Sequence, residues 1–328
     1  MHQDFPDIIR QVTGASDLVL TEVIQELWSG YGTIRRYRLN GGERRHVVVK
    51  HVRLVDSKGH PRGWNSDLGH RRKLRSYQIE QSWYREWAAQ CDRDCRVPRC
   101  LAYASRGEET LLVLEDLDDS GFPGRLERAS REEIEACLLW LANFHATFLG
   151  CRPAGLWEQG TYWHLATRPE ELAVLTDKPL QQTAAAIDRR LEEGRFQTLV
   201  HGDAKLANFC FSPGGKAVAA VDFQYVGGGC GMKDVAYFLG SCLDEGECER
   251  QIPSLLNIYF NALRVAIRSR QPAIDDRALI EEWRVLFPFA WADFHRFLKG
   301  WCPGHWKLNS YSERVARSVI GTLKKAGT

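Results

Sequence analysis

One short segment in the second half of the chain restricts the fold more than any other feature of the sequence. Two short apolar runs, at 209–211 and 217–221, flank the tetrapeptide Ser-Pro-Gly-Gly. Pro-Gly-Gly is a strong turn signal, so the two runs are predicted to pair as a β-hairpin. Asn208 and Asp222 each lie seven positions from Gly215, and a hairpin folded at that glycine would bring their side chains together at its base.

The residues at the base of this hairpin have the chemistry of a metal site. The amide oxygen of Asn208 and the carboxylate of Asp222 are hard ligands suited to Mg²⁺, which usually takes one or two protein oxygens and fills its other positions with phosphate and water. Asp203 lies five residues before Asn208 and would sit beside that metal with a free carboxylate. Each residue alone is equally typical of a turn, a cap or a strand end. The set of three favours a functional site.

The sequence changes character near residue 117. Before that point, alternating or β-branched segments and one helical pattern predict strands at 22–28, 33–39, 46–54 and 111–114 and a helix at 74–89. After it, helical patterns dominate, at 132–148, 183–193, 250–268 and 277–299. The sequence therefore predicts an α+β protein with a small β-rich lobe over 1–117 and a larger, mainly helical lobe over 118–328.

Composition and charge exclude several classes of partner. The 328 residues include 44 Lys and Arg against 42 Asp and Glu, a net charge of +2, so no overall field marks a nucleic-acid binder. The N-terminus lacks the basic start of a signal peptide, and no stretch reaches the ~18 uninterrupted apolar residues of a membrane span. Ten scattered cysteines fit reduced thiols better than a disulfide framework. We expect a cytoplasmic protein that binds neither nucleic acid nor membrane and has no obligate protein partner.

The order His-Gly-Asp at 201–203, then Asn208, a hairpin, and Asp-Phe at 222–223 is specific as a set. It resembles the catalytic and metal-binding loops of the kinase-like small-molecule phosphotransferases, the aminoglycoside phosphotransferase and choline kinase superfamily. Within it, Glu-Gln-Ser-Trp-Tyr at 80–84, Leu-Val-Leu-Glu-Asp-Leu at 112–117 and the aromatic C-terminal half are most similar to the ecdysteroid-kinase-like branch.

The resemblance, which extends over about residues 20–300, implies a two-lobed protein-kinase-like fold and a kinase that uses ATP and Mg²⁺. Such an enzyme moves the γ-phosphate to a hydroxyl of a small-molecule alcohol. The sequence does not specify the acceptor, and it leaves GTP as an alternative to ATP. The other function class is a catalytically inactive nucleotide-binding module with the same fold. Retention of Asp203 favours the enzyme, because a pure binder has no need of a base.

Carried over to this sequence, the resemblance implies that Asp203 accepts or orients the proton of the attacking hydroxyl while Asn208 and Asp222 hold Mg²⁺. Lys205 is similar to the catalytic-loop lysine of protein Ser/Thr kinases, where it would reach the transferring phosphate. A solvated loop lysine is the alternative at that position.

Two further residues would give structural support rather than chemistry. Asp234 is predicted to be the N-cap of a helix, and the family uses an aspartate at this point to brace the catalytic loop, through His201. His145 lies in an apolar helical pattern and is predicted to be a packed core histidine.

The nucleotide site is implied by residues of the first lobe. Lys50 ends an apolar run in the third predicted strand and would pair with the nucleotide phosphates and with a helix glutamate, because a charge there needs a partner. Glu80 and Glu86 compete for that role, and Glu80 matches the family pattern.

Two backbone segments complete the implied nucleotide site. Gly30 and Gly32 stand where the glycine-rich phosphate loop belongs, although a plain hairpin turn is equally compatible with them. Glu115 and Leu117 belong to the strand that leads to the interlobe hinge, whose backbone groups would hydrogen-bond adenine.

Three features depart from the family pattern or have no assigned role. Gln224 stands where many small-molecule kinases have an acidic residue, so Asp222 would carry the metal alone on that loop. The basic stretch over 58–75 is either a solvated face or a mobile loop over the nucleotide that contacts phosphate. Most aromatic residues of the C-terminal half would pack between helices, and some would line an acceptor pocket or form, with Asp293, a cage for a cationic group.

Overall fold

The computed structural model describes residues 4–27, 30–53 and 67–326. Its N-terminal part consists of α1 (Phe5–Thr13), β1 (Asp17–Glu26), β2 (Gly32–Asn40), β3 (His46–Arg53), α2 (Asp67–Ser82), β4 (Cys100–Arg106) and β5 (Glu109–Glu115). Helix α2 continues as one π-helical turn over 83–87. Its C-terminal part consists of α3 (Arg131–Thr147), α4 (Pro169–Ala173), α5 (Lys178–Glu192), β6 (Thr198–Val200), β7 (Phe209–Phe211), β8 (Val218–Ala220), β9 (Gly227–Gly229), α6 (Met232–Cys242), α7 (Glu245–Arg270), α8 (Asp276–Trp301) and α9 (Ser310–Ala326).

The five N-terminal strands form one antiparallel sheet in the order β1-β2-β3-β5-β4. Strand β3 is central, with Lys50 opposite Ile34 of β2 and Leu112 of β5. Successive side chains of a strand point to opposite faces. Val47 and Val49 accordingly join a buried apolar cluster with α1, while Lys50 lies on the other face, toward α2. The sheet therefore presents its one buried lysine to the helix that crosses it.

The helical part forms the main core. Capping boxes start two of its helices, between Ser130 and Glu133 at α3 and between Asp244 and Glu247 at α7, and satisfy the first free N–H groups of each. The apolar faces of α3, α6, α7 and α8 pack in one cluster, which extends to Trp83 at the end of α2. Because the cluster includes that residue, the end of α2 is fixed against the helical part.

The hairpin predicted from Ser-Pro-Gly-Gly is confirmed. Strands β7 and β8 pair with Phe209 opposite Ala220 and Phe211 opposite Val218. A second short pair was not predicted: β6 pairs with β9, which consists of the glycines 227–229. Glycine has a low strand propensity, so sequence pattern gave no signal for β9.

The predicted fold class is confirmed, with an antiparallel N-terminal sheet and a larger helical C-terminal part. Two boundaries differ from expectation: β1 begins before residue 22, and α2 begins at Asp67, inside the basic stretch for which a mobile loop was one of two expectations. The elements α1, β4, α4 and α9 were not predicted. Lys58 and Arg62 of that stretch lie outside the described residues. The division at 117/118 stays a prediction. No helix within the described ranges combines the length and apolar character that a membrane crossing requires.

Candidate active site

The loop that carries most of the predicted chemistry, residues 201–208, connects β6 to the β7–β8 hairpin. It turns at Gly202, whose φ of 79° lies in the left-handed region. A Cβ at this position would lie 2.1 Å from the carbonyl oxygen of Tyr225 and 2.8 Å from the backbone nitrogen of Thr161. Only glycine therefore allows these three backbone segments to meet. The next residue, Asp203, lines the cleft that the loop borders.

Asp234 holds this loop from helix α6. Its Oδ2 accepts the N–H of His201 at 2.5 Å, and its Oδ1 accepts the N–H of Gly202 at 2.9 Å. It also lies 3.2 Å from Nε2 of His145, which is fully buried, as predicted. The predicted N-cap position is wrong, because Asp234 is the third residue of α6 and Gly231 occupies the N-cap. Its carboxylate satisfies the N–H groups of the loop instead of those of its own helix.

The His201 ring ties the loop to the segment that carries Asp222. Its Nδ1 accepts the N–H of Asp203 at 3.2 Å, and its Nε2 lies 3.0 Å from the carbonyl oxygen of Val221. Since Nδ1 accepts, we assign the ring proton to Nε2, which donates to that carbonyl. The ring packs on Phe223, which in turn stacks on Trp83 with centroids 4.4 Å apart. The two loops and the end of α2 are therefore in direct contact.

Both oxygens of the Asp203 carboxylate have a hydrogen-bond donor. The hydroxyl of Tyr237 donates to Oδ1 at 3.0 Å. Lys205 Nζ and Asn208 Nδ2 donate to Oδ2 at 3.0 and 3.1 Å. Burial raises the pKa of Asp203, and the ammonium of Lys205 partly offsets this rise. A carboxylate with a raised pKa and a fixed orientation is suited to accept a proton from a neighbouring hydroxyl.

Asn208 and Asp222 lie at the base of the same hairpin, where the N–H of Val221 donates to the carbonyl oxygen of Asn208 at 3.0 Å. Asp222 has a φ of 68°, in the left-handed region, and its buried Oδ1 has no hydrogen-bond partner among the described residues. Asn208 donates through Nδ2 to the carbonyl oxygen and to Oδ2 of Asp203. No donor among the described residues binds Oδ1 of Asn208. Burial alone would raise the pKa of Asp222, but Lys50, Lys73 and Lys205 outweigh it and lower the pKa. The donor set therefore fits a small, hard cation such as Mg²⁺.

Lys50 and Glu80 form a buried ion pair across the sheet and α2. Lys50 Nζ contacts Oε2 of Glu80, and each side chain is only 4% exposed. Burial raises the pKa of Glu80, while the charge of Lys50 lowers it. Glu86, the competing residue, is exposed. The structure thus brings together the pair that the family pattern favoured.

Gly30 lies between β1 and β2, and Gly32 is the first residue of β2. A Cβ on Gly32 would lie 2.0 Å from the carbonyl oxygen of His51, and its φ is 135°, so only glycine fits there. Gly30 donates its N–H to Leu27 at 3.2 Å. Glycine is required at position 32 because the backbone passes close to β3. A plain hairpin turn has the same requirement as a phosphate-binding loop.

The residues predicted to form the hinge lie at and after the end of β5, where Glu115 is the last residue of the strand. The side chain of Glu115 is paired with Arg96, so only its backbone is available to a ligand. The carbonyl oxygen of Leu117 accepts the N–H of Phe122 at 2.8 Å, whereas its own N–H has no acceptor in the described ranges. Neither Glu115 nor Leu117 borders the large cleft that Asp203 lines.

Sequence reasoning missed a second lysine at the site. Lys73, in the basic stretch, lies in α2 and donates from Nζ to Oε1 of Gln224 at 2.7 Å. The hydroxyl of Ser76 donates to the same oxygen at 3.2 Å. Burial lowers the pKa of Lys73 to about 8, and the charge of Asp222 opposes this. Gln224 is therefore more than a loop residue, since it fixes α2 and Lys73 beside Asp222. Residues 70, 73, 77 and 80 share a helical spacing, which was the available signal.

The cleft beside Asp203 has a volume of about 710 Å³. One wall is formed by Asp203, Lys205, Asp222 and Gln224 of the two loops. The other is largely aromatic. Tyr237 comes from α6, Phe294, Leu298 and Trp301 come from α8, and His305, Trp306 and Lys307 come from the segment between α8 and α9, while Tyr162 precedes α4 and Tyr225 follows Gln224. The cleft can accept a molecule with an apolar or aromatic body whose reactive end reaches Asp203.

The suggested cage of aromatic residues with Asp293 is wrong. Asp293 is fully buried and does not line the cleft. Its carboxylate accepts the indole N–H of Trp163 at 3.0 Å and pairs with Arg296 at 2.8 Å. A carboxylate occupied in this way has no free oxygen for a ligand. Trp163 and Trp283 are likewise fully buried, as the core-packing interpretation predicted for most of the aromatic residues.

The five-stranded antiparallel sheet and the larger helical part together form a kinase-like fold. The chain belongs to the phosphotransferase enzyme family (APH), whose family model matches residues 23–273. A comparison with curated protein sequences found no match.

Solved structures with the same fold include two kinases of parasites. The choline kinase of Cryptosporidium parvum Iowa II is 11% identical, with a TM-score of 0.52 and coverage of 99% of this chain and 96% of that one. The ethanolamine kinase of Plasmodium vivax is 10% identical, with a TM-score of 0.51 and coverage of 93% of this chain and 82% of that one. At these identities the likeness concerns the fold alone.

Proposed function

We propose that this protein transfers the γ-phosphate of ATP to a hydroxyl of a small-molecule alcohol, with Mg²⁺. The observation that carries the proposal is a pair of oxygens that accept no hydrogen bond from any described residue, the buried Oδ1 of Asp222 and Oδ1 of Asn208, beside the hydrogen-bonded carboxylate of Asp203. A buried carboxylate oxygen without a partner is costly unless a ligand meets it. Membership of the phosphotransferase family supports the same reaction class.

The proposed reaction divides its tasks among the residues of the two loops. Asp203 orients the acceptor hydroxyl and takes its proton as the oxygen–phosphorus bond forms and the bond from phosphorus to the leaving diphosphate oxygen breaks. Asn208 and Asp222 would hold Mg²⁺, which supplies charge neutralisation on the phosphate oxygens when bound. Lys205, which lies beside Asp203 and is partly exposed, would meet the transferred phosphoryl group.

The first lobe would hold the nucleotide. Lys50, fixed by Glu80, and Lys73, fixed by Gln224, provide two cations for the phosphates on the side of Asp222. Backbone groups around Leu117 would bind the purine, and the loop of Gly30 and Gly32 would cover the phosphates. Backbone binding of this kind leaves the choice between ATP and GTP open.

Two finer assignments remain predictions. The ecdysteroid-kinase-like branch rests on the motifs at 80–84 and 112–117. The cytoplasmic location is supported by ten cysteines that are all free thiols.

The first test is thermal unfolding with Mg·ATP added to the wild type, to Asp222→Asn and to Asp7→Asn. Asp7 is an exposed aspartate far from the cleft chemistry, so the last variant controls for the change of charge. A ligand at 100 times its Kd stabilises by about 2.7 kcal/mol. We expect this shift in the wild type and in Asp7→Asn and its loss in Asp222→Asn.

Two other results would change the proposal. A wild type without any shift contradicts the nucleotide site itself. A shift without phosphate transfer to any of a broad set of alcohols favours the catalytically inactive nucleotide-binding module instead.

A further inference from the structure

One lysine in the cleft contacts aromatic rings but no carboxylate among the described residues. Lys307 is half-buried in the segment between α8 and α9 and lines the aromatic wall. Its Nζ lies 4.9 Å from the ring centroid of Tyr237, 5.5 Å from that of Phe294 and 5.6 Å from that of Trp306. Within the described residues no acceptor binds Nζ. Three aromatic faces therefore surround a cation that is open to the cleft.

The surroundings of this cation make an anionic ligand favourable. Burial, with a smaller contribution from the charge of Lys205, lowers the pKa of Lys307 to about 8, while Cys242 and Asp203 oppose this shift. At neutral pH the ammonium is still protonated, but burial removes part of its water and no carboxylate of the described residues contacts it. An anion bound at Nζ would compensate for this loss of water.

Among the described residues the aromatic wall carries no carboxylate that could pair with a cationic ligand, and three of its rings already face the ammonium of Lys307. Its side chains are apolar or aromatic apart from His305 and Lys307, and burial lowers the pKa of His305, which keeps that ring neutral. The acids that line the cleft are Asp203 and Asp222 in the loops and the exposed Glu127 after β5. Asp203 is the proposed base and Asp222 is one of the two proposed metal ligands. An amine placed against the wall would face Lys307 instead of a carboxylate.

Lys307 and Asp203 both contact the side chain of Tyr237. Lys307 lies over the ring, and the hydroxyl of that same ring donates to Asp203. A molecule that binds Nζ of Lys307 and reaches Asp203 spans about one aromatic ring. Trp306, which is 57% exposed, adds an apolar face at the mouth that such a molecule would cover.

We propose that the acceptor is an alcohol with an anionic group, a carboxylate or a phosphate ester, on an apolar or aromatic body, and that Lys307 binds this group. The inference rests on the proposed function, since it names the substrate class of the same site. Lys307 then selects acceptors by charge, and the aromatic wall selects them by shape. Aminated alcohols are rejected because the ammonium of Lys307 repels them.

Four matched alcohols test the charge selection. They share a 1-hydroxy-2-phenylethyl body and carry a carboxylate (3-phenyllactate), its primary amide, an aminomethyl group (1-amino-3-phenylpropan-2-ol) or a phosphate ester on a methylene group (2-hydroxy-3-phenylpropyl phosphate). Their binding is measured at pH 7 by thermal unfolding, both with saturating Mg·ADP and without nucleotide. The wild type is compared with Lys307→Met, Lys307→Arg and Lys216→Met, which removes an exposed lysine at the hairpin turn.

We expect at least tenfold tighter binding of the carboxylate or the phosphate ester than of the amide and the amine. The two anionic arms distinguish a carboxylate acceptor from a phosphorylated one. The preference is lost in Lys307→Met and kept in Lys307→Arg and Lys216→Met. Equal binding of the amine, an unchanged preference in Lys307→Met, or no binding of any of the four to the wild type would overturn the proposal.

The nucleotide arm separates this proposal from the one on which it rests. A wild type that shifts with Mg·ADP but shows no charge preference retains the kinase assignment and refutes the anionic acceptor. A wild type that does not shift with Mg·ADP refutes the nucleotide site, and the arm without nucleotide then still shows whether Lys307 selects anions.

Discussion

The hydroxyl of Tyr237 donates a hydrogen bond to Oδ1 of Asp203 at 3.0 Å, within the buried end of the cleft. Tyr237 lies three residues after Asp234 on α6, so both side chains project from one face of that helix. Asp234 fixes the backbone of the loop and Tyr237 fixes the carboxylate that the loop carries. Helix α6 therefore sets both the position and the orientation of the proposed base.

Replacing Tyr237 by Phe should lower kcat about tenfold and shift the acid limb of the rate to higher pH. The hydrogen bond from Tyr237 favours the charged form of Asp203. Its removal therefore raises the pKa of this carboxyl, which burial already raises. Activity that needs the carboxylate is then lost at a higher pH as the solution is acidified. A tenfold change corresponds to about 1.4 kcal/mol, the usual size of one hydrogen bond.

Rate profiles against pH for the wild type and Tyr237→Phe measure this effect, with the affinity for Mg·ATP as the control for folding. A tenfold slower variant with an unmoved acid limb would show that Tyr237 acts on packing and not on the charge of Asp203.

The change Asp203→Asn should abolish phosphate transfer while Mg·ATP affinity stays within a few-fold. An asparagine keeps the shape of the side chain and can accept the bond from Tyr237, but it cannot take a proton from the acceptor. Transfer is measured with the best alcohol found, and nucleotide affinity by thermal unfolding. Loss of nucleotide binding together with transfer would contradict the role of base, since it would place Asp203 among the metal or phosphate ligands.

The buried pair of Lys50 and Glu80 gives a prediction about stability. Removing one partner, in Lys50→Met or Glu80→Leu, leaves an uncompensated buried charge and should cost about 3–5 kcal/mol of the free energy of unfolding. The double variant should recover most of this loss but not nucleotide binding. Denaturant unfolding measures all three proteins.

The exposed pair of Arg277 and Glu281 is the matched control, with side chains 86% and 66% exposed. Its removal should cost below about 0.5 kcal/mol. If the double variant at Lys50 and Glu80 is no more stable than the single variants, the prediction is wrong. Each side chain then stabilises the fold through contacts other than the ion pair.

Local sequence was enough to predict the centre of the site. One hairpin joins Asn208 to Asp222, and Ser-Pro-Gly-Gly predicts its turn. The two residues are close because β7 pairs with β8 next to them in the chain. Lys50 follows from its place directly after the apolar run of β3, which continues to Arg53. In each case the signal lies within about fifteen residues, where local secondary structure sets the geometry.

The residues that sequence missed depend on contacts between distant elements. Lys73 meets Gln224 across 151 positions, and only the packing of α2 on the metal-binding loop brings them together. Lys307 reaches the ring of Tyr237 because α8 and α9 place the segment between them over α6. The sequence predicted that Asp234 supports the catalytic loop, but it placed Asp234 at the N-cap of α6 instead of in its first turn. An aspartate can accept N–H groups of its own helix or of a neighbouring loop, and the sequence alone does not distinguish the two.

The second lysine of the nucleotide site gives a prediction about pH. Burial lowers the pKa of Lys73 from 10.5 to about 8, so this lysine is protonated below that pH and loses its charge as the pH rises through it. Bound phosphate favours the charged form, and affinity for ATP should therefore be highest near neutral pH and fall above about pH 8. Asp222, Glu80 and Asp203 support the charge, while Lys50 opposes it.

Measuring the Kd of Mg·ATP without acceptor between pH 6.5 and 9.5 tests this prediction, because Lys307 then plays no part. In Lys73→Arg the decline above about pH 8 should disappear, since a guanidinium keeps its proton throughout. In Lys73→Met the affinity should be weaker and independent of pH in that range. A decline that persists in both variants would assign it to another group and would mean that Lys73 serves only to hold Gln224 against α2.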